Sequence, residues 1–169
     1  MNAMLSPGTL PELSLRTMST RDLDAVMAIE VRAYSCPWSR GNFIDSLAAD
    51  YRAQVLVADD AGIVGYFVAM PGVDEMHLLN LTVAPAWQGR GLARTMLDAL
   101  EAHCRQSRLA KLWLEVRESN HRARALYRQR GFTEVGLRRG YYPAAALGQR
   151  EDAVVMSAPV PQDGDDGLE

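Results

Sequence analysis

The sequence predicts an α/β fold on a mixed central sheet, with the element order β-α-α-β-β-β-α-β-α-β-β. Three observations predict it. Short β-rich runs alternate with stretches whose apolar residues recur at spacings of three and four. A hairpin signal, Asp59-Asp60-Ala61-Gly62, separates two of the β-rich runs. Gly91 opens one helical stretch and Gly131 closes another, so the punctuation agrees with the periodicity.

Residues 13–18 read as the first strand. Ser19 with Asp22 three residues on resembles a capping box, opening a helix with Leu23, Val26, Met27 and Glu30 on successive turns. Ser39 starts a short helix carrying Phe43, Ile44 and Leu47 as one apolar stripe. Strands over 54–58 and 63–70 flank the hairpin turn, and a third runs over about 75–83 after Pro71-Gly72. Ala84-Pro85-Ala86-Trp87 reads as a loop that Pro85 keeps out of any helix. Residues 91–107 are helical, with Leu92, Met96, Leu97, Leu100 and Cys104 on one side. A strand over 111–116, a helix over 120–130 and a strand over 132–137 follow. After an irregular stretch, 153–157 form the last strand.

A chain of 169 residues, 48% apolar and 23% charged, suits one soluble domain, expected over 13–158. Residues 1–12 are expected to be a flexible N-terminus, and 159–169 an acidic disordered tail with Asp163, Asp165, Asp166 and Glu169. The net charge of −3 comes largely from that tail. From Glu115 to Arg150 there are eight arginines against three glutamates, a basic surface suited to a polyanion such as a nucleotide phosphate. Direct nucleic-acid binding is not expected, because no aromatic-plus-basic strand motif or zinc spacing occurs. No apolar run is long enough for a membrane span and the first dozen residues lack a secretory pattern, so a cytoplasmic protein is expected. Cys36 and Cys104 then read as free thiols. A monomer is expected, and no metal.

The most specific feature is Leu81-Thr82-Val83, a four-residue loop, then Gln88-Gly89-Arg90-Gly91-Leu92-Ala93. A strand leads through a short loop into a helix entered over small residues. Small residues admit a ligand close to the backbone, and the unpaired amides of a helix start attract an anion. Gly-x-Gly alone also makes an ordinary tight turn. The longer pattern Gln-x-x-Gly-x-Ala resembles the acetyl-coenzyme A signature of the GNAT superfamily. That resemblance implies main-chain contacts from Leu81, Thr82 and Val83 to the pantetheine arm, and a pyrophosphate held by Gln88, Gly89, Arg90, Gly91, Leu92, Ala93 and Arg94.

A second block runs Leu112-Trp113-Leu114-Glu115-Val116-Arg117, then Asn120, and Ala125-Leu126-Tyr127 before Gly131-Phe132. Asn120 and Tyr127 lie on one helical face, about 10 Å apart. As residues alone, Asn120 reads more often as a helix cap and Tyr127 as core packing with a satisfied hydroxyl. Glu115 reads equally as a solvent-facing strand residue and as a base, although carboxylates in mid-sheet are seldom there for stability.

The resemblance covers residues 13–158. With Cys36-Pro37-Trp38-Ser39 and Arg138-Arg139-x-Tyr141-Tyr142-Pro143 it narrows to the branch acting on the N-terminal alanine of small-subunit ribosomal protein eighteen. It implies acetyl-CoA as co-substrate and an Ala-initiated peptide as partner. It also implies Glu115 as proton acceptor, Tyr127 as proton donor and Asn120 on the cofactor. Trp38, Tyr141 and Tyr142 are candidates for the peptide wall, or for packing of the loops. His77 is the minor alternative base. Other readings are a small-molecule amine or protein lysine as acceptor, and a non-catalytic coenzyme A-binding module.

Overall fold

The computed structural model describes residues 11–144 and 148–162. Strands β1 (Leu13–Thr17), β2 (Arg52–Ala58), β3 (Gly62–Pro71) and β4 (Glu75–Val83) form an antiparallel meander. Strand β5 (Lys111–Arg117) joins β4 in parallel. Strands β6 (Thr133–Pro143) and β7 (Arg150–Pro159) complete a sheet ordered β1-β2-β3-β4-β5-β7-β6. Helices α1 (Leu23–Ala33) and α2 (Arg40–Ala48) lie between β1 and β2. Helix α3 (Leu92–Gln106) is the crossover that parallel strands β4 and β5 require, and α4 (His121–Gln129) follows β5.

The sheet separates two apolar cores. On one face Leu92, Met96, Leu97, Leu100 and Cys104 of α3 pack with Phe67, Met76, Leu78, Leu112, Leu114 and Tyr127. On the other, Leu23 and Val26 of α1 and Phe43 of α2 meet Val55, Tyr66 and Val68. Strand β5 alternates as its sequence requires: Leu112, Leu114 and Val116 enter the α3 side, while Trp113 and Glu115 point the other way.

Two local features open the sheet. Val68 pairs with Asn80 but Ala69 pairs with Leu78, so Leu79 is an extra, bulged residue in β4. A bulge re-aims the side chains beyond it. Met76 and Leu78 therefore join the α3 core, whereas Asn80 and Thr82 turn toward α1. The parallel ladder also stops at Leu78 opposite Leu114, although β4 continues to Val83 and β5 to Arg117. The two strands part there and leave a fork.

Several expectations are corrected. Pro85 does not exclude helical structure: it occupies the first position of a 3-10 turn, Pro85–Trp87, where a missing N–H costs nothing. Ile44 is 43% exposed, and the buried residues of α2 are Phe43 and Ser46. Strands β6 and β7 are longer than their sequences suggest, because register shifts let the ladder continue past Gly136 and Gly140. The chain also stays packed beyond 158. Val160 is buried, its N–H bonds the Ala110 carbonyl, and Gln162 reaches the Leu109 carbonyl. The expected acidic tail from Asp163 onward and the first ten residues of the expected flexible N-terminus lie outside the described residues.

Candidate active site

A cleft of about 720 Å³ lies along the β4 side of the fork. It is lined by Leu81, Thr82 and Val83 of β4, by the turn residues Trp87, Gln88, Gly89 and Gly91, and by Leu92, Ala93 and Arg94 of α3. Helix α4 adds Ala123, Leu126 and Tyr127, with Asn120 just before it, and Ala33 and Tyr34 close the mouth from the end of α1. Nearly all of the candidate cofactor residues thus meet around one cavity. Arg90 is the exception: its guanidinium stacks 4.7 Å from the Trp87 ring centre and does not line the cleft.

The phosphate end is built from main chain. Gly91 caps α3 in the left-handed region at φ 79°, a conformation an L side chain resists. The first turn of α3 leaves its N–H groups without helical partners, facing a region favourable to anions. Gln88 Nε2 donates to the Val83 carbonyl at 3.2 Å and ties the turn back to the strand. A guanidinium nitrogen of Arg122 sits 3.6 Å from where a Cβ on Gly89 would stand. Asn120 acts as the cap of α4, its Oδ1 accepting the Ala123 N–H at 3.1 Å, while also lining the cleft. These donors and this shape fit a diphosphate.

At the other end, Tyr127 is 8% exposed and packs on Phe132 at 5.5 Å. Among the described residues its hydroxyl has no hydrogen-bond partner. Burial, with Tyr34 and Tyr142 nearby, pushes this phenol well above its ordinary value, so it keeps its proton. Glu115 does not line the cleft. It is the first residue of β5 past the last pair with β4, on the sheet face opposite Tyr127. Its side chain is 5% exposed, with Oε1 3.2 Å from Arg138 and 3.7 Å from His77 Nε2. Neither contact has hydrogen-bond geometry, so Oε1 is a buried acceptor without a donor among the described residues. His77 stacks on Trp113 at 3.6 Å, and burial holds its pKa below the usual value, so it is neutral at pH 7.

Trp38, Tyr141 and Tyr142 are likewise outside the cleft lining. Trp38 packs on Phe43, and its N–H donates to Glu30. Tyr141 and Tyr142 make an edge contact at 4.9 Å, with Arg138 over the first ring and Arg117 over the second. Burial raises both phenols, and the charge of Glu115 adds to each, which places this pair beside Glu115. Cys36 and Arg117 both point to the Pro143 carbonyl, at 3.7 and 2.8 Å, linking the α1–α2 loop to the β6–β7 hairpin.

Sequence reasoning missed Tyr34, Glu30 and Arg138. Glu30 carried a signal, a carboxylate inside the apolar stripe of α1. Arg138 stood in a motif but with no role attached, and Tyr34 had no signal, since their roles come from contacts 23 and 48 residues away in the chain. Among the described residues, no three His, Cys, Asp or Glu side chains gather as metal ligands. No helix of the described chain is long and apolar enough to cross a membrane.

A forked α/β sheet with a main-chain anion cradle at the crossover helix defines an acyl-CoA-dependent transferase, and the chain belongs to the acetyltransferase (GNAT) family, whose profile matches residues 23–132. The particular relatives are RimI-type enzymes. The [ribosomal protein bS18]-alanine N-acetyltransferase of Salmonella typhimurium is 39% identical over 147 residues, which span 87% of this chain and 97% of that protein. The ribosomal-protein-S18-alanine N-acetyltransferase of Escherichia coli has a crystal structure that superposes with a TM-score of 0.81 at 34% identity, covering 94% of this chain and all of that one. A putative enzyme of the same description from Bacillus subtilis is 31% identical over 144 residues, 85% of this chain and 93% of that protein.

Proposed function

We propose that this protein transfers the acetyl group of acetyl-CoA directly to the N-terminal alanine amine of ribosomal protein bS18, with Glu115 as the base and Tyr127 on the departing sulfur. The observation that carries this reading is Glu115 Oε1 at the fork, buried and charge-paired with Arg138 at 3.2 Å but accepting no hydrogen bond among the described residues. A buried acceptor without a donor is costly, and an incoming amine supplies the donor. The resemblance to the bS18-alanine acetyltransferases supports the choice of amine.

The geometry divides the work between the two faces of the sheet. The nucleotide enters from the α3–α4 side, with its diphosphate on the Gln88–Arg94 turn and its thioester in the fork. The peptide enters from the opposite side, between the Trp38 loop and the Tyr141–Tyr142 hairpin. Glu115, alone or through a water, takes the proton as the amine attacks. An α-amino group titrates near about 8, so roughly a tenth is already neutral at pH 7 and can attack without prior deprotonation. A main-chain N–H of the β4 edge near Val83 is available to polarise the thioester carbonyl. Because Tyr127 is a weakened acid, it serves as hydrogen-bond donor to the developing thiolate, and the proton is completed from solvent.

The test is turnover of acetyl-CoA with an Ala-initiated peptide. Glu115→Gln and Tyr127→Phe are expected to lower kcat by about 100-fold or more, with coenzyme A affinity within about twofold of wild type by calorimetry. Turnover only on polyamines or lysine side chains rejects the substrate, and binding without any turnover rejects the enzyme.

A further inference from the structure

Glu30 is a buried carboxylate that the chemistry above does not use. It is 1% exposed, in the middle of α1, at a position whose neighbours Leu23, Val26 and Ile29 are apolar core. Its Oε1 accepts the Trp38 main-chain N–H at 3.0 Å, and its Oε2 accepts the Tyr66 hydroxyl. Asn80 Nδ2 lies 3.4 Å from both oxygens. The chain of contacts then runs outward. Thr82 Oγ1 donates to Asn80 Oδ1 at 2.6 Å, and Tyr34 OH lies 2.7 Å from Thr82 Oγ1 and 3.1 Å from the Leu81 carbonyl. Tyr34 and Thr82 are cleft wall.

The polarity of this network follows from its centre. The carboxylate can only accept, so it draws the amide nitrogen of Asn80 and turns Oδ1 toward Thr82. Thr82 spends its one proton on Asn80, which leaves Tyr34 as the donor in the next link. Burying a carboxylate is expensive and gives weak stability even when it is fully paired, so an apolar residue would serve this core position better if stability were its only role. Tyr34 is 38% exposed overall, but its hydroxyl is tucked against the β4 edge, pushed up to about 12 mainly by burial, and so keeps the proton it gives to this network.

We propose that Glu30 is a positioning residue for acetyl transfer. Through Asn80 and Thr82 it sets the Tyr34 hydroxyl at the β4 edge of the fork, and through the Trp38 N–H it sets the wall that receives the amine. This rests on acetyl transfer occurring in the fork, whichever amine is the acceptor.

A double-mutant cycle tests it, run on the amine that wild-type enzyme acetylates, so that a wrong alanine assignment does not disturb the result. Glu30→Gln, which preserves shape, is expected to lower kcat/KM by about tenfold, and Tyr34→Phe by about as much. Acetyl-CoA affinity should stay within about twofold in the Glu30→Gln enzyme, since Glu30 does not line the cleft and the phosphate turn is untouched. The double variant should lose about tenfold overall rather than about a hundredfold, because both changes break one chain. Thr82→Val leaves Glu30 in place and should reproduce the loss, which keeps the cycle readable with Tyr34→Phe if the Gln variant folds poorly. Additive losses, or a Glu30→Gln enzyme with a lowered Tm and wild-type kinetics, overturn the proposal.

Discussion

Tyr127 lines the cleft while Glu115 lies on the opposite face of the sheet, and the two sit in opposite electrical settings. The phenol is held protonated by burial, and the carboxylate lies beside the guanidinium of Arg138. A pH profile follows. Below about pH 8 the acceptor amine is largely protonated, so kcat/KM for an Ala-initiated peptide should rise to about pH 8 and then level. An ordinary phenol would bring a fall near pH ~10, and the raised Tyr127 removes that limb from the accessible range. A lysine acceptor would instead keep gaining toward about pH 10, so the position of the plateau distinguishes the two amines. At this scale the sequence made Tyr127, the Gln88–Ala93 turn and the oddity of Glu115 legible. It left Arg138, Tyr34 and the Glu30 hub unread, because a side chain's partners come from distant segments.

The decisive element is β4. Its bulge at Leu79 and the early end of its ladder with β5 make the fork, and its other neighbour holds it close to α3 at Gly65. A Cβ there would stand 2.9 Å from the Thr82 carbonyl oxygen and 3.0 Å from the Met96 terminal methyl. The methyl can yield but the carbonyl belongs to the cleft wall. Gly65→Ala is therefore expected to cost about 1–3 kcal/mol by chemical denaturation and to lower acetyl-CoA affinity measurably by calorimetry. Gly91→Ala meets no atom but forces a side chain into φ 79°, so its cost should be about 1 kcal/mol of strain. Element types were readable from periodicity, as α3 illustrates with Leu92, Met96, Leu97, Leu100 and Cys104 all buried. The lengths of β6 and β7 were not, because a ladder interrupted by bulges loses its period of two.

Across the whole molecule, acid erodes stability in two stages. His77 is held below its usual pKa by burial, so the unfolded chain binds that proton more readily, and its contribution is complete above about pH 6.5 and lost as pH falls through the lower folded value. Asp22, hydrogen-bonded by Arg16, and Glu151, bonded by Ser119, are held below the carboxylate range. Their contributions stand above about pH 4 and vanish below it. Thermal melts should be level from pH 9 to 7, decline gently below about 6.5 and fall steeply below about 4; His77→Gln should shrink the first decline and leave the share of His103, which burial and Arg52 also hold below its usual value. The sequence by itself determined the order of the elements, the two-faced strands and the anion-binding turn, since each depends on neighbours within one or two turns of chain. Only the tertiary structure decided where the sheet opens, that Glu115 is left with an unanswered oxygen, and that Glu30 reaches Tyr34 through Asn80 and Thr82. Those contacts join residues tens of positions apart, and local periodicity carries no record of which distant segments the folded core brings together.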